Sequence, residues 1–200
     1  MIANVLVVLL GLIVSLFIYW RRLREDYASE IIFSSAFTTY LLIFIAWAVS
    51  LRFAPGWFFW LEFLGLLLGV ILSVFRFRIR FYESLESFVF SVLPMYSFMF
   101  LSDSVARSSL ISFMGFVVIL AFIFLFYYFE SHYKSFSWYK SGKIGFAGLA
   151  TLGVFFLTRA GIAIFFTSVL SFTGKFEVYI SGVFAFLSFL MIFNLGRKEI

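Results

Sequence analysis

Two hundred residues with 64% hydrophobic side chains and only 12% charge, at a mean hydropathy of +1.11, exclude a soluble domain, since a globular chain runs near half apolar and about a quarter charged. The absence of cysteine excludes disulfides, a thiol nucleophile and a thiolate metal site, and a single histidine excludes multi-histidine zinc and di-iron centres. The charge, net +5, lies mainly in short clusters between apolar stretches. That pattern predicts an all-α polytopic membrane protein, a single transmembrane domain over residues 1–200 with no metal or cofactor.

A spanning helix needs about 20 residues, and seven such stretches follow in order. The first, Ile2–Trp20, is closed by Arg21-Arg22-Leu23-Arg24-Glu25-Asp26. Its positive charges follow the apolar run and no small-residue cleavage site is present, so it reads as an uncleaved span rather than a signal peptide. The second, Ile31–Leu51, ends at the turn Arg52-Phe53-Ala54-Pro55-Gly56. The third, Trp57–Phe75, stops at a comb of Arg76, Arg78 and Arg80. The fourth, Leu85–Leu101, carries Pro94, and Ser102–Arg107 are expected to turn the chain. The fifth, Leu110–Phe129, precedes the longest polar connection, Glu130 to Lys143. The sixth runs from Ile144 to about Thr167 and the seventh from Val178 to Leu195, ending in Gly196-Arg197-Lys198-Glu199.

Seven spans place the termini on opposite sides of the bilayer. One set of connections holds eleven basic residues (Arg21, Arg22, Arg24, the arginine comb, Lys134, Lys140, Lys143, Arg197 and Lys198); the other holds three, Arg52, Arg107 and Lys175. The positive-inside rule then predicts an N-terminus outside and a C-terminus in the cytoplasm. Orientation accounts for the net charge, so no nucleic acid is expected as a partner; a basic inner rim also suits anionic lipids. Gly65 and Gly69 in the third span, and Gly142, Gly145, Gly148 and Gly153 around the sixth, form small-residue faces that let helices approach closely.

An ionisable group at membrane depth is costly and is a functional hypothesis by default. Arg159 lies 15 residues into the sixth stretch, about 22 Å from its start and in the outer half of a hydrocarbon layer about 30 Å thick. A guanidinium there can grip a phosphate or carboxylate through two parallel hydrogen bonds, or it can simply satisfy helix-end carbonyls and a carboxylate. Glu62, near the outer end of the third span, is a candidate partner of Arg159, a base, or an interfacial carboxylate in water. Arg107 and Asp103 read as a solvated loop pair, with a headgroup contact as the alternative for Arg107. His132 reads as a cytoplasmic loop residue. No phosphate-binding glycine loop, His-Glu-x-x-His or Gly-x-Ser-x-Gly occurs.

Several segments, taken in order, carry a resemblance. Leu10-Gly11 runs through the first span into Arg21-Arg22-Leu23-Arg24, and Glu30-Ile31-Ile32 opens the second. Leu61-Glu62-Phe63-Leu64-Gly65-Leu66-Leu67-Leu68-Gly69 follows, then Phe81-Tyr82-Glu83-Ser84-Leu85-Glu86 running on to Pro94. Last come Ser141-Gly142-Lys143-Ile144-Gly145-Phe146 and Leu157-Thr158-Arg159. Over nearly the whole chain this order resembles the prolipoprotein diacylglyceryl transferases, seven-span enzymes of the bacterial inner membrane. The resemblance implies phosphatidylglycerol as donor and a lipoprotein precursor's signal-peptide cysteine as acceptor. Arg159 would hold the phosphate, Arg107 would assist and Glu62 would be the base.

The departures fall on the family's chemistry. Its Trp-Tyr-Gly reads Ala3-Asn4-Val5, its third-span histidine reads Leu64, and its Gly-Arg-x-Gly-Asn keeps only Arg107 within Ala106-Arg107-Ser108-Ser109-Leu110. The glutamate four residues after the sixth-span arginine reads Ala163. Two alternatives follow: a silent relative acting as a lipid-binding or scaffolding subunit, and a small substrate-binding subunit of a transporter. A transferase requires a cavity open to the outer leaflet with Arg159 pointing into it. A scaffold requires Arg159 paired with Glu62 or a backbone carbonyl, and a transporter subunit a closed aromatic-lined pocket.

Overall fold

The computed structural model describes residues 2–136, 139, 142, 144–165 and 171–197, without the side chains of residues 2–5 and 8. Lys140, Lys143, Lys198, the end of the sixth stretch at Thr167 and the side chains of Ala3, Asn4 and Val5 therefore lie outside the described residues. The described elements are helical: α1 (Ile2–Leu23), α2 (Ser29–Phe53), α3 (Phe58–Phe77), α4 (Phe81–Arg107), α5 (Leu110–His132), α6 (Phe146–Phe165) and α7 (Phe176–Arg197). Six of them, α2 to α7, are long and apolar enough to cross a bilayer. The chain is thus an all-helical, multi-pass membrane protein.

The boundaries follow from local chemistry. Pro55 begins a single 3₁₀ turn, Pro55–Trp57, that feeds α3, a position where the missing N–H costs nothing. Arg78 closes α3 and Ser108 closes α4, both with left-handed backbone (φ +57° and +50°). Ser109 caps α5, its hydroxyl accepting from the Ser112 amide at 3.3 Å. Two expectations are corrected here. Ser102–Arg107 do not turn the chain but form the last turns of α4, where Asp103 and Arg107 pair at 2.8 Å one turn apart. No glycine or proline interrupts them, so the helix continues through Arg107. His132 is not in a loop but ends α5, stacked on Tyr128 with ring centroids 4.5 Å apart.

α4 is the central helix, packed against α1, α3, α5 and α6. Residues Glu83 to Ser91 form an unbroken buried run, which is how a helix enclosed on all sides differs from one with a single apolar stripe. Serines at 84, 87 and 91 keep this helix thin enough to be surrounded. The remaining helices pair off, α2 with α3 and α6 with α7.

Glycines set the closest approaches. A Cβ at Gly69 would stand 2.5 Å from the Thr39 side chain on α2, and one at Gly65 would stand 2.9 Å from the Leu42 carbonyl. A Cβ at Gly148 would meet the backbone of Glu86 at 2.8 Å, which fixes α6 against the central helix. Gly161, by contrast, faces open space. Gly69→Leu is therefore expected to lower the midpoint of a thermal melt in detergent by an amount equivalent to about 1–3 kcal/mol, whereas Gly161→Leu leaves it unchanged or raises it.

Candidate functional site

At the end of the bundle where α3 and α7 begin and α6 finishes, the chain buries an ion pair. Arg159 is 8% exposed and Glu177, in the first turn of α7, is fully buried. The guanidinium meets one carboxylate oxygen edge-on, Nε to Oε1 at 2.9 Å and Nη2 to Oε1 at 2.8 Å. Its other edge is also engaged: Nη2 donates to the Ser171 carbonyl at 2.9 Å and Nη1 to the Ser171 hydroxyl at 3.3 Å. The Phe59 ring lies 3.7 Å beneath it and Phe172 lies 4.8 Å away, a geometry in which the ring faces also stabilise the cation.

Glu177 is equally saturated. Trp60 Nε1 donates to Oε2 at 2.9 Å and the Ser181 hydroxyl to Oε1 at 2.8 Å. The Thr173 amide donates to Oε2 at 3.3 Å, so the carboxylate also satisfies backbone just ahead of its own helix. Its place in the first turn of α7 is favoured by the helix dipole. Around the pair, Trp60 packs against Phe156 (5.6 Å) and Phe184 (5.4 Å), which also touch each other, and Phe63 meets all three edge-on.

The sequence-derived candidates separate in space. Glu62 does not pair with Arg159; it is half-buried and accepts a hydrogen bond from the Tyr96 hydroxyl at 3.0 Å. Tyr96 is close enough to Arg159 to feel its charge, so Glu62, Tyr96, Arg159 and Glu177 share one polar layer contributed by α3, α4, α6 and α7. Arg107 stands apart, exposed and bound to Asp103, which also accepts from the Ser112 hydroxyl at 2.6 Å. Glu177 went unnoticed in the sequence because it precedes the seventh apolar stretch by one residue. The available signal was an acid opening a span soon after an intramembrane arginine.

A second buried charge cluster, also missed, lies at the opposite, basic end. Arg22 Nη2 donates to Glu86 at 2.5 Å and to Glu130 at 3.3 Å, joining α1, α4 and α5. The Gly145 amide donates to the other Glu86 oxygen at 2.6 Å, tying in the start of α6. Nearby, the Tyr27 hydroxyl donates to Glu83 at 2.5 Å and accepts from the Arg80 amide at 3.0 Å, while Arg80 Nη1 reaches Glu83 at 3.1 Å. Partial burial, and then the bond to Glu83, raise the Tyr27 phenol above its ordinary range. The comb is therefore not uniform: Arg76 and Arg78 project outward, whereas Arg80 grips a glutamate.

No family model, curated protein or solved structure matches this chain. The resemblance to the diacylglyceryl transferases rests on the residues quoted above.

Breaking a buried pair by removing one partner costs about 3–5 kcal/mol, while replacing both partners by apolar groups is often neutral. Glu177→Ala is thus expected to destabilise the protein strongly. The double variant Arg159→Met/Glu177→Leu should recover most of the loss, as read from melting of both proteins in the same detergent.

Proposed function

We propose that the chain is a lipid-binding or scaffolding membrane protein built on the helix plan of the diacylglyceryl transferases, and that it does not transfer diacylglycerol. One observation carries this reading: both edges of the Arg159 guanidinium are occupied, by Glu177 on one side and Ser171 on the other. Gripping the phosphate of phosphatidylglycerol needs two free N–H groups on one edge. Freeing them would leave Glu177 unpaired inside the protein, at a cost no single headgroup contact offsets. The cradle instead suits a structural clamp joining α3, α6 and α7, with the lipid or a partner subunit held elsewhere on the bundle.

A second reading, an active transferase drawing on phosphatidylglycerol and a lipoprotein signal peptide, is favoured by Glu62. That carboxylate is half-buried beside Tyr96 in the same polar layer, where a base would be needed. Arg107 would then be the accessible cation. In both readings α1 is the seventh span: at 22 residues it is about 33 Å long, enough to cross. The basic ends face the cytoplasm of a bacterial inner membrane.

Purified protein incubated with phosphatidylglycerol labelled in its diacylglycerol and a lipobox peptide is expected to give no labelled peptide. Transfer that vanishes in Arg159→Ala, or in Glu62→Gln, would overturn the proposal in favour of the enzyme. Orientation is open to a clean test because the chain has no cysteine. In intact spheroplasts a membrane-impermeant maleimide should label Ala106→Cys and leave Ser135→Cys untouched until the cells are opened; the reverse pattern would invert the topology.

A further inference from the structure

A cavity of about 520 Å³ opens at the basic end between α1 and α5, floored by α4. Its charged lining is Arg21, Arg22, Glu25, Glu86 and Glu130. Apart from Ile144, just ahead of α6, its apolar lining follows a rule: Phe17 and Ile18 lie one turn before Arg21 and Arg22, Phe90 one turn past Glu86, and Tyr127 one turn before Glu130. On all three helices the apolar residue is the one nearer the middle of the bundle. The cavity is thus charged at its mouth and greasy toward the membrane interior, the profile of one phospholipid standing on end.

The charges specify the headgroup. Arg22 uses Nη2 for both of its ion pairs, so Nε and Nη1 have no described hydrogen-bond partner, and Arg21 beside it is exposed. Arg21, which has no described hydrogen-bond partner, can offer a whole edge to a phosphodiester, and Nε and Nη1 of Arg22, which lie on different edges, can add one contact each. Among the described residues the lining nevertheless holds three glutamates against two arginines, which disfavours a ligand carrying net negative charge alone. Glu25, exposed on the rim, calls for a donor. We propose that this groove binds an amine-headed phospholipid, its phosphate gripped by Arg21 with single contacts from Arg22, and its ammonium on Glu25. The proposal deepens the lipid-binding reading by naming a site and a headgroup, and it lies at the far end of the bundle from Arg159.

Native mass spectrometry of the purified full chain with equimolar phosphatidylethanolamine, phosphatidylglycerol and phosphatidylcholine of identical acyl chains tests it. Phosphatidylethanolamine should be retained about tenfold over each competitor, because charge-assisted hydrogen bonds to the ammonium are available to it alone. Glu25→Gln should erase its advantage over phosphatidylcholine, and Arg21→Ala should weaken all three. Both residues are exposed, and Arg22, which holds buried Glu86, is left intact so that the fold is preserved. Equal retention of phosphatidylcholine or phosphatidylglycerol, or an unchanged preference in Glu25→Gln, would overturn the proposal. The Arg159→Met/Glu177→Leu variant should keep the preference, which separates this result from any outcome of the transfer assay.

Discussion

A charge inside an apolar slab must be neutralised by a partner that is itself fixed, and this requirement organises the bundle. Among the described residues it is met at both ends. At one end Arg159 and Glu177 bind α6 to α7, and Trp60 adds α3. At the other, Arg22 holds Glu86 and Glu130, and Gly145 adds the start of α6. Lipid offers helices no hydrophobic reason to associate, so these polar clamps, with the glycine contacts of α3 and α6, give the bundle its specific partners. Both clamps involve α6, and the basic-end clamp is centred on α4, the helix whose first half is buried on all sides.

The abundance of phenylalanine fits the same constraint. A ring can face lipid, fill a core or lie under a guanidinium without needing a hydrogen bond. All three uses occur: Phe75 is exposed, Phe88 stacks on Tyr19 in the core, and Phe59 lies beneath Arg159. At the basic end Phe126 and Phe90, stacked on each other, lie 5.0 and 5.4 Å from the Arg22 guanidinium. Each buried cation therefore has a carboxylate on one side and aromatic faces on another, which spreads the cost of desolvating it.

The helices were legible because apolar length and basic punctuation are properties of contiguous sequence. Their ends were less so. The polar run Ser102–Arg107 looked like a turn, yet an ion pair one helical turn apart keeps it helical. Partnerships across helices were not legible at all. Arg159 stood out by depth alone, but its partner lies 18 residues on, at the mouth of a span where an acid reads as interfacial. Glu86 and Arg22 are 64 residues apart, and nothing in the sequence around either one points to the other. Pairwise geometry of this kind is set by which helices become neighbours, and hydropathy carries no information about that.

The two arginines differ in a way that bears on where function can reside. A buried cation with all three nitrogens engaged is a structural part, because a ligand that grips either edge must first displace a partner that then has nowhere to go. Arg159 is in that state. Arg22 is not: its two carboxylates share one nitrogen, it lines a cavity, and a second arginine stands on the rim. Depth in the membrane, which singled out Arg159 in the sequence, identifies the costliest charge. The charge best able to act on something else is the one with donors left over and an opening to present them, and in this bundle that combination belongs to the basic end.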